Sequence, residues 1–175
     1  FGLGVDKTWA MCGRQWAAKF EGRYIKDRYY ELNAAQYTPQ NRGYTKLDSL
    51  LTGIQLETYF LTNLTAILRW DIETRMRWHD YIRDLPVGKN IDRCQNGVYL
   101  TLMKPIIATH NRLNLRSMLI WVEAGGWRYE PAITYELSEC LELMLAGYLY
   151  WGNYDEINGQ FTKHDGGSFG IKYSF

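Results

Sequence analysis

The chain lacks any apolar run close to the roughly 18 residues that a transmembrane helix requires. A helical membrane protein is therefore excluded. The 175 residues also lack an excess of either charge, since the formal net charge is +1. A nucleic-acid-binding protein usually carries a basic excess, and a solvated acidic tail carries the opposite one. We therefore expect no nucleic acid among the partners.

Cysteine is scarce as well, with three residues, and none of them belongs to a C-x-x-C pair or has a neighbouring pair of histidines. Zinc sites depend on such spacings, so we expect no metal and no other cofactor. An odd number of cysteines leaves at least one thiol unpaired. We expect Cys12 and Cys140 to be buried or lipid-facing, and we expect Cys94 to lie in a polar loop.

Aromatic residues are abundant, at 15% of the chain, and many of them belong to segments that alternate with period two. Residues 64–78 show the pattern best. One side of this segment is apolar, from Leu64 to Trp78, whereas the other side bears charges of both signs, from Arg69 to Arg77. Period two is typical of a β-strand, and a strand of about 9–11 residues can cross a bilayer. The pattern predicts a strand that separates lipid from a watery or hydrogen-bonded lumen.

Similar alternation predicts eight strands and no helix. The fold class is then all-β, a single antiparallel up-and-down transmembrane β-barrel region over residues 1–175. The predicted strands lie near residues 8–24, 49–60, 64–78, 97–108, 113–122, 127–137, 140–151 and 167–175. Lys104 and Pro105 interrupt the fourth of them, and we expect a β-bulge there because proline lacks a backbone N–H.

Tight polar links, such as Thr62-Asn63 and Ser138-Glu139, alternate with long ones, and residues 124–126 are the exception. Antiparallel pairing then places the tight turns and both termini at one end, and the long loops at the other, as in outer-membrane barrels. Large aromatic residues of the apolar side sort to these two ends, as rings do at membrane interfaces. The predicted aromatic girdle comprises Trp78, Trp121, Trp127, Trp151, Tyr135 and Tyr173.

The opposite side of the strands predicts a charged lumen. Its lining residues are Arg69, Asp71, Glu73, Arg75, Arg77, Arg116, Arg128, Glu130 and Glu142. In a closed eight-stranded barrel they would form a plug of ion pairs, because such an interior has room only for side chains. In a larger barrel they would line a water-filled passage and influence which solutes pass. The sequence permits both arrangements.

The last residues carry a further signal, because large apolar residues occupy every second position up to the terminal phenylalanine. This pattern looks like the C-terminal strand that outer-membrane barrels present to the barrel assembly machinery. The predicted assembly signal comprises Phe169, Ile171, Tyr173 and Phe175.

A family resemblance rests on the opening Gly2-Leu3-Gly4-Val5-Asp6-Lys7-Thr8-Trp9 with Gly22-Arg23-Tyr24-Ile25, on residues 133–152, on Asn158-Gly159-Gln160-Phe161 and on residues 169–175. With these segments the chain resembles the C-terminal part of a large, poorly characterised family of proteobacterial outer-membrane β-barrels, often encoded beside exporters of the resistance–nodulation–division type. Its members are longer, so the resemblance implies the final section of a larger, porin-like barrel. It also implies transport of small or hydrophobic solutes through the outer membrane of a Gram-negative bacterium. The implied partners are lipid, lipopolysaccharide and other subunits of an export system.

Residues suited to enzyme chemistry are few. His79-Asp80 and His164-Asp165 fall near the long loops, but adjacent residues of a strand point to opposite sides and make poor catalytic pairs. We therefore expect no catalytic residue and no enzyme. Three functions remain open: a channel or export barrel, a small eight-stranded barrel that serves as membrane anchor or external-loop enzyme, and a soluble ligand-binding barrel with its faces inverted.

Overall fold

The computed structural model describes residues 1–31, 44–60, 63–76, 93–123, 125–152 and 165–174. Nine antiparallel strands form one up-and-down sheet, in which each strand pairs with its neighbours in the sequence. Within the described residues the edge strands β1 and β9 do not pair with each other, so the sheet is not closed. The strands are β1 (Gly2–Met11), β2 (Arg14–Glu31), β3 (Tyr44–Phe60), β4 (Leu64–Arg75), β5 (Cys94–Ile106), β6 (Leu113–Val122), β7 (Gly126–Ser138), β8 (Leu141–Trp151) and β9 (Gly166–Tyr173).

Helical structure is limited to one 3₁₀ turn, Ile107–Thr109, among the described residues. His110 ends this turn in the left-handed conformation and donates its backbone N–H to the carbonyl of Ile107. No helix in the described part of the chain is long and apolar enough to cross a membrane.

The prediction of eight strands is wrong at its first member, because residues 8–24 form a hairpin of two strands. Cys12 and Gly13 make the turn, with φ angles of 53° and 71°. Two consecutive positive φ angles are typical of tight hairpin turns, and glycine adopts them without a Cβ clash. The turn also reverses the phase of the alternation. Ala10 therefore pairs with Gln15 on the charged side of the sheet and not on the apolar side.

The strands run between two ends of the sheet. The turn end carries the links after β1, β3, β5 and β7, whereas the loop end carries those after β2, β4, β6 and β8. Because the number of strands is odd, β1 begins at the loop end, and the expectation that both termini lie at the turn end is wrong. The longest strands, β2 and β3, have 18 and 17 residues and extend into the region 26–48 that the sequence assigned to a loop.

Pro105 is accommodated in β5 without a bulge. The pairing of β5 with β6 continues without a shift through Lys104 and Pro105, so the predicted bulge is wrong. The last pair of β5 with β4 is made by Met103. Pro105 therefore lies past the end of that ladder and removes no hydrogen bond from it.

The two faces of the sheet differ in chemistry and in burial. The face that we call apolar carries most of the exposed large hydrophobic residues, and Phe20, Leu68 and Leu145 are 48%, 45% and 57% exposed there. The opposite, polar face carries most of the charges and, apart from Thr58, the buried residues other than glycine. These are Leu47, Ser49, Arg75, Ile120, Glu130, Ala132 and Ala146. Since the described residues form a single sheet, the buried side chains are covered by others of the same face.

Candidate functional site on the polar face

Four charged side chains form a continuous group on the polar face, which we call the central cluster: Lys19, Glu21, Arg69 and Asp71. Arg69 Nε donates to both carboxylate oxygens of Asp71, at 2.8 and 2.9 Å. Arg69 Nη1 donates to Glu21 Oε2 at 3.1 Å, and Lys19 Nζ lies 2.6 Å from Glu21 Oε1. Positive and negative groups alternate along the cluster, so each charge stabilises its neighbour.

Gly53 of β3 leaves the space in which the central cluster forms. Its partners in register are Glu21 on β2 and Asp71 on β4. Neighbouring strands lie about 4.8 Å apart, so the Arg69 side chain must reach over β3, roughly 10 Å, to meet Glu21. A Cβ at position 53 would collide with Asp71 Oδ1 and would lie 3.3 Å from Arg69 Nη2. The missing side chain of Gly53 therefore permits an ion pair between strands that are not adjacent.

The central cluster borders a polar depression of about 500 Å³, to which Gly4, Gly53 and Arg23 also contribute. Glu21, Arg69 and Asp71 line this depression, and Lys19 lies outside it. The side chains of Lys19 and Glu21 are 48% and 37% exposed, and that of Arg69 is 37% exposed. Water or a polar solute on this face would therefore contact the charges directly.

A second group lies nearer the loop end, and we call Arg28, Tyr30, Glu73, Arg75 and Gln95 the loop-end cluster. The Tyr30 ring lies between two guanidinium groups, whose Cζ atoms are 5.6 Å (Arg28) and 5.2 Å (Arg75) from its centre. The Tyr30 hydroxyl donates to Glu73, which also lies 3.0 Å from Arg28 Nη1. Arg75 is 7% exposed, and its Nη2 donates to Gln95 Oε1 at 2.7 Å. Cation–π contacts and charged hydrogen bonds together hold these side chains in place.

Further charges of the polar face lie on β6 to β9. Arg128 Nε is 2.7 Å from Glu130 Oε1, and the Glu130 side chain is only 11% exposed. Near the turn end, Glu142 stands in register between Glu136 on β7 and Lys172 on β9. The polar face thus bears both signs of charge along its whole width.

All described members of the predicted lumen lining share the polar face, namely Arg69, Asp71, Glu73, Arg75, Arg116, Arg128, Glu130 and Glu142. Arg77 lies outside the described residues. The structure adds Lys19 and Glu21, which the alternation of their strand would have revealed. It also adds Arg28 and Tyr30, which the sequence placed in a loop because a register shift after Ile25 breaks the alternation.

The described residues of the predicted aromatic girdle lie at both ends of the apolar face. Trp121, Trp127 and Trp151 lie side by side at the loop end, with 6.4 Å between the ring centroids of each neighbouring pair. Tyr135 and Tyr173 lie toward the turn end of the same face. Trp78 is outside the described residues.

The residues of the predicted assembly signal alternate on the apolar face of the edge strand β9. Phe169, Ile171 and Tyr173 are exposed there. Phe175 lies outside the described residues. The described part of the signal therefore presents a row of large side chains beside an unpaired backbone edge.

All three cysteines are exposed. Cys12 and Cys140 occupy the links after β1 and β7, and we call them the turn-end thiols. The sequence placed Cys12 inside a strand and Cys140 at the start of one, and the expectation that they are buried or lipid-facing is wrong. Cys94 is the first residue of β5 and not a loop residue, and its Sγ lies 3.6 Å from Thr74 Oγ1 at the loop end. The described residues contain no group of three His, Cys, Asp or Glu side chains that could hold a metal ion.

The two histidine–aspartate pairs considered as catalytic groups fall largely outside the described residues. Only Asp165 is described, and its Oδ1 accepts a hydrogen bond from the backbone N–H of Tyr150 at 3.0 Å. This contact gives Asp165 a role in the link between β8 and β9.

Comparisons of the chain with protein-family models, with curated proteins and with solved structures give no match. The charged groups of the polar face are therefore interpreted from their own geometry.

Proposed function

We propose that the chain is a section of an outer-membrane β-barrel of a Gram-negative bacterium, in which the polar face lines a conduit for solutes. One observation carries this proposal, namely that the usual burial pattern is inverted. Large apolar side chains such as Leu68 are exposed on one face, while Arg75 and Glu130 are 7% and 8% exposed on the other. Water-soluble proteins bury their apolar residues, whereas a sheet in lipid turns them outward.

The dimensions of the apolar face support a bilayer as its surroundings. On β4, every residue of this face from Leu64 to Ile72 is apolar. At about 3.3 Å per residue and a tilt of about 40°, this stretch covers roughly 20 Å of depth, close to the apolar band of about 25 Å on outer-membrane barrels. The tryptophans at the loop end and the tyrosines at the turn end then fall near the two interfaces.

The direction of the edge strands favours a larger barrel, to which other strands contribute, over a barrel made of these nine strands alone. β1 and β9 run the same way, because nine strands alternate in direction between them. They cannot form an antiparallel ladder with each other. Antiparallel closure of the sheet requires an odd number of further strands, whether from this polypeptide or from another.

The exposure of the central cluster supports a conduit. In a closed small barrel, ion pairs fill the interior and are fully desolvated. Lys19, Glu21 and Arg69 keep one third to one half of their side-chain surface free, beside a polar depression. Charges that remain in contact with water can attract one kind of ion and repel the other.

Recording of ion currents in planar bilayers tests the conduit. The central cluster holds two cations and two carboxylates, so Arg69→Gln changes its net charge from zero to minus one. We expect the variant to shift the reversal potential toward cation selectivity. Arg14→Gln is the matched control, because Arg14 lies on the apolar face, with its Cζ 4.5 Å from the Phe60 ring centre. A protein that inserts but never conducts would overturn the conduit.

A second function, a membrane anchor with a structural interior, is favoured by the internal pairing of the charges. Arg69 and Glu21 each contact two oppositely charged groups, as side chains of a plug would. In that case Arg69→Gln leaves Asp71 without its cation and Glu21 with Lys19 alone. The variant then loses stability and produces no change in selectivity.

A further inference from the structure

A groove of about 560 Å³ crosses the apolar face over β5 to β8, and we call it the outer groove. Its floor consists of small or compact residues in one register row. Ser117 pairs with Pro131, and a Cβ on Gly147 would lie only 3.3 Å from Pro131 Cγ. Larger apolar side chains border this floor on both sides. They are Leu115, Ile133 and Leu145 toward the turn end, and Tyr129 toward the loop end.

The shape of the outer groove is maintained by the polar residues Ser117 and Tyr129 and by the ring of Pro131. Ser117 Oγ donates to the Tyr129 hydroxyl at 3.1 Å, which satisfies both groups on a face otherwise made of hydrocarbon. Pro131 interrupts the pairing of β7 with β8, and the pairs on either side keep the same register. Gly147 leaves room for its ring. The depression is therefore fixed by the backbone and does not depend on the rotamer of a long side chain.

Two basic residues line the outer groove, and by register Lys104 belongs to the apolar face whereas Arg116 belongs to the polar face. Lys104 lines the groove on β5, two residues from the turn end of that strand, and it is exposed. Among the described residues no carboxylate forms an ion pair with Lys104. A lysine directed toward lipid is tolerated where its ammonium group reaches the headgroup layer. Position 104 meets this condition, and the ammonium group is available to an external anion.

We propose that the outer groove is a binding site for one phospholipid with an anionic headgroup, with an acyl chain in the groove and its phosphate at Lys104. This proposal rests on the membrane location proposed above. Apolar surface alone does not distinguish one lipid from another, because all acyl chains are equally apolar. Selectivity comes from the combination of the fixed depression with Lys104, the cation of the apolar face at its turn-end mouth.

The groove follows a course that suits an acyl chain. It spans three strand spacings from β5 to β8, about 14 Å. In a tilted barrel, a register row is oblique to the membrane plane. Lys104 pairs with Leu115 and so lies nearer the turn end than the row of Ser117 and Pro131 that forms the floor. A lipid with its headgroup at Lys104 therefore extends its chain in the direction of the bilayer core.

Native mass spectrometry of the protein, extracted in mild detergent and exchanged into either phosphatidylglycerol or phosphatidylcholine with identical chains, tests the proposal. We expect preferential retention of one phosphatidylglycerol, and Lys104→Gln should lower this preference about fivefold. Lys46→Gln is the matched control, because Lys46 lies on the same face at the loop end, 5.0 Å from the Tyr29 ring centre. An equal loss of preference in both lysine variants would overturn the proposal.

Filling the groove provides an independent variant. Ser117→Leu should reduce retention of both lipids, whereas Ala18→Leu, on the same face but outside the groove, should not. Tyr129→Phe controls for the lost hydrogen bond, and heat-modifiable migration on gels confirms that each variant is folded. A wild-type protein that partitions to the membrane but retains the two lipids equally would refute the lipid site alone. A protein that never enters the membrane fraction would refute the proposed function as well.

Discussion

The orientation of the two faces can be tested by placing one arginine on each, at adjacent positions of β4. Leu68 is the middle residue of the apolar stretch from Leu64 to Ile72, and its side chain is 45% exposed. Ile67 precedes it and points to the polar face, in register with Glu57. Leu68→Arg and Ile67→Arg therefore introduce the same side chain into the same strand, on opposite faces.

The expected difference in folding free energy between the two variants follows from the depth of Leu68 in the bilayer. It lies four positions from each end of the apolar stretch, which is roughly 10 Å of depth, and therefore near the middle of the bilayer. An arginine at the midplane of a transmembrane barrel costs about 2–4 kcal/mol, which is a factor of roughly 30 to 1,000 in the folding equilibrium. Ile67→Arg gains an opposite charge across the strand at Glu57, and its net effect should stay within about 1 kcal/mol.

Equilibrium refolding into lipid vesicles, titrated with urea, measures both changes. The proposed orientation requires that Leu68→Arg has much the lower midpoint. Equal midpoints, or a larger loss for Ile67→Arg, would show that the apolar face does not meet lipid. A protein whose apolar face meets water would tolerate Leu68→Arg, since exposed substitutions usually change the free energy of unfolding by less than about 0.5 kcal/mol.

Gly53→Val should lower the urea midpoint by the equivalent of about 1–3 kcal/mol, because its Cβ displaces Asp71 from Arg69. Gly22→Val is the control and should not lower the midpoint, because no atom lies within 4 Å of its Cβ position. Similar midpoints for the two variants would contradict the role of Gly53. A membrane-impermeant maleimide added to intact cells should label Cys94 and spare the turn-end thiols if the loop end faces outward. Labelling confined to the turn-end thiols would reverse the orientation.

The sequence predicted strands well where alternation is bounded by clear turn residues. Residues 113–122 form β6 with the predicted limits, since polar residues flank the strand and it opens with leucines that alternate with Asn114 and Arg116. The same signal assigned the faces of β7, β8 and β9. In these strands the hydrophobic pattern alone fixes which side chains share a face.

The first hairpin was missed because its turn lacks the residues that mark most turns. Cys12-Gly13 replaces the common Asn-Gly or Asp-Gly, and the apolar character of Ala10 and Cys12 continues the pattern of β2 across the turn. The change of phase from odd positions in β1 to even positions in β2 was the available signal. Detecting it requires knowledge of which residues pair, and pairing is a property of the whole sheet.

The partners of each charge could not be predicted for the same reason. Arg69 bonds Asp71, two residues away in its own strand, and also Glu21, two strands away. The second contact depends on the register of three strands and on the absence of a side chain at Gly53. Period two places these residues on one face but carries no information on registers.

The contact across Gly53 also bears on the choice between a conduit and a plug. A plug requires bulky side chains that fill the interior, yet the polar face carries glycines at positions 4, 53 and 97 in one register row with Glu21 and Asp71. Glycine weakens a strand, because it has no side chain to pack. A Cβ at Gly53 would meet Asp71, and one at Gly97 would meet the Tyr99 ring, so these two glycines make room for side chains of the same face. At Gly4 the side-chain atom nearest to the Cβ position is Glu21 Cγ, at 4.0 Å, and Gly4 borders the depression beside Glu21. The row is therefore filled at Gly53 and Gly97 and open at Gly4, and this open part suits a surface along which solute moves.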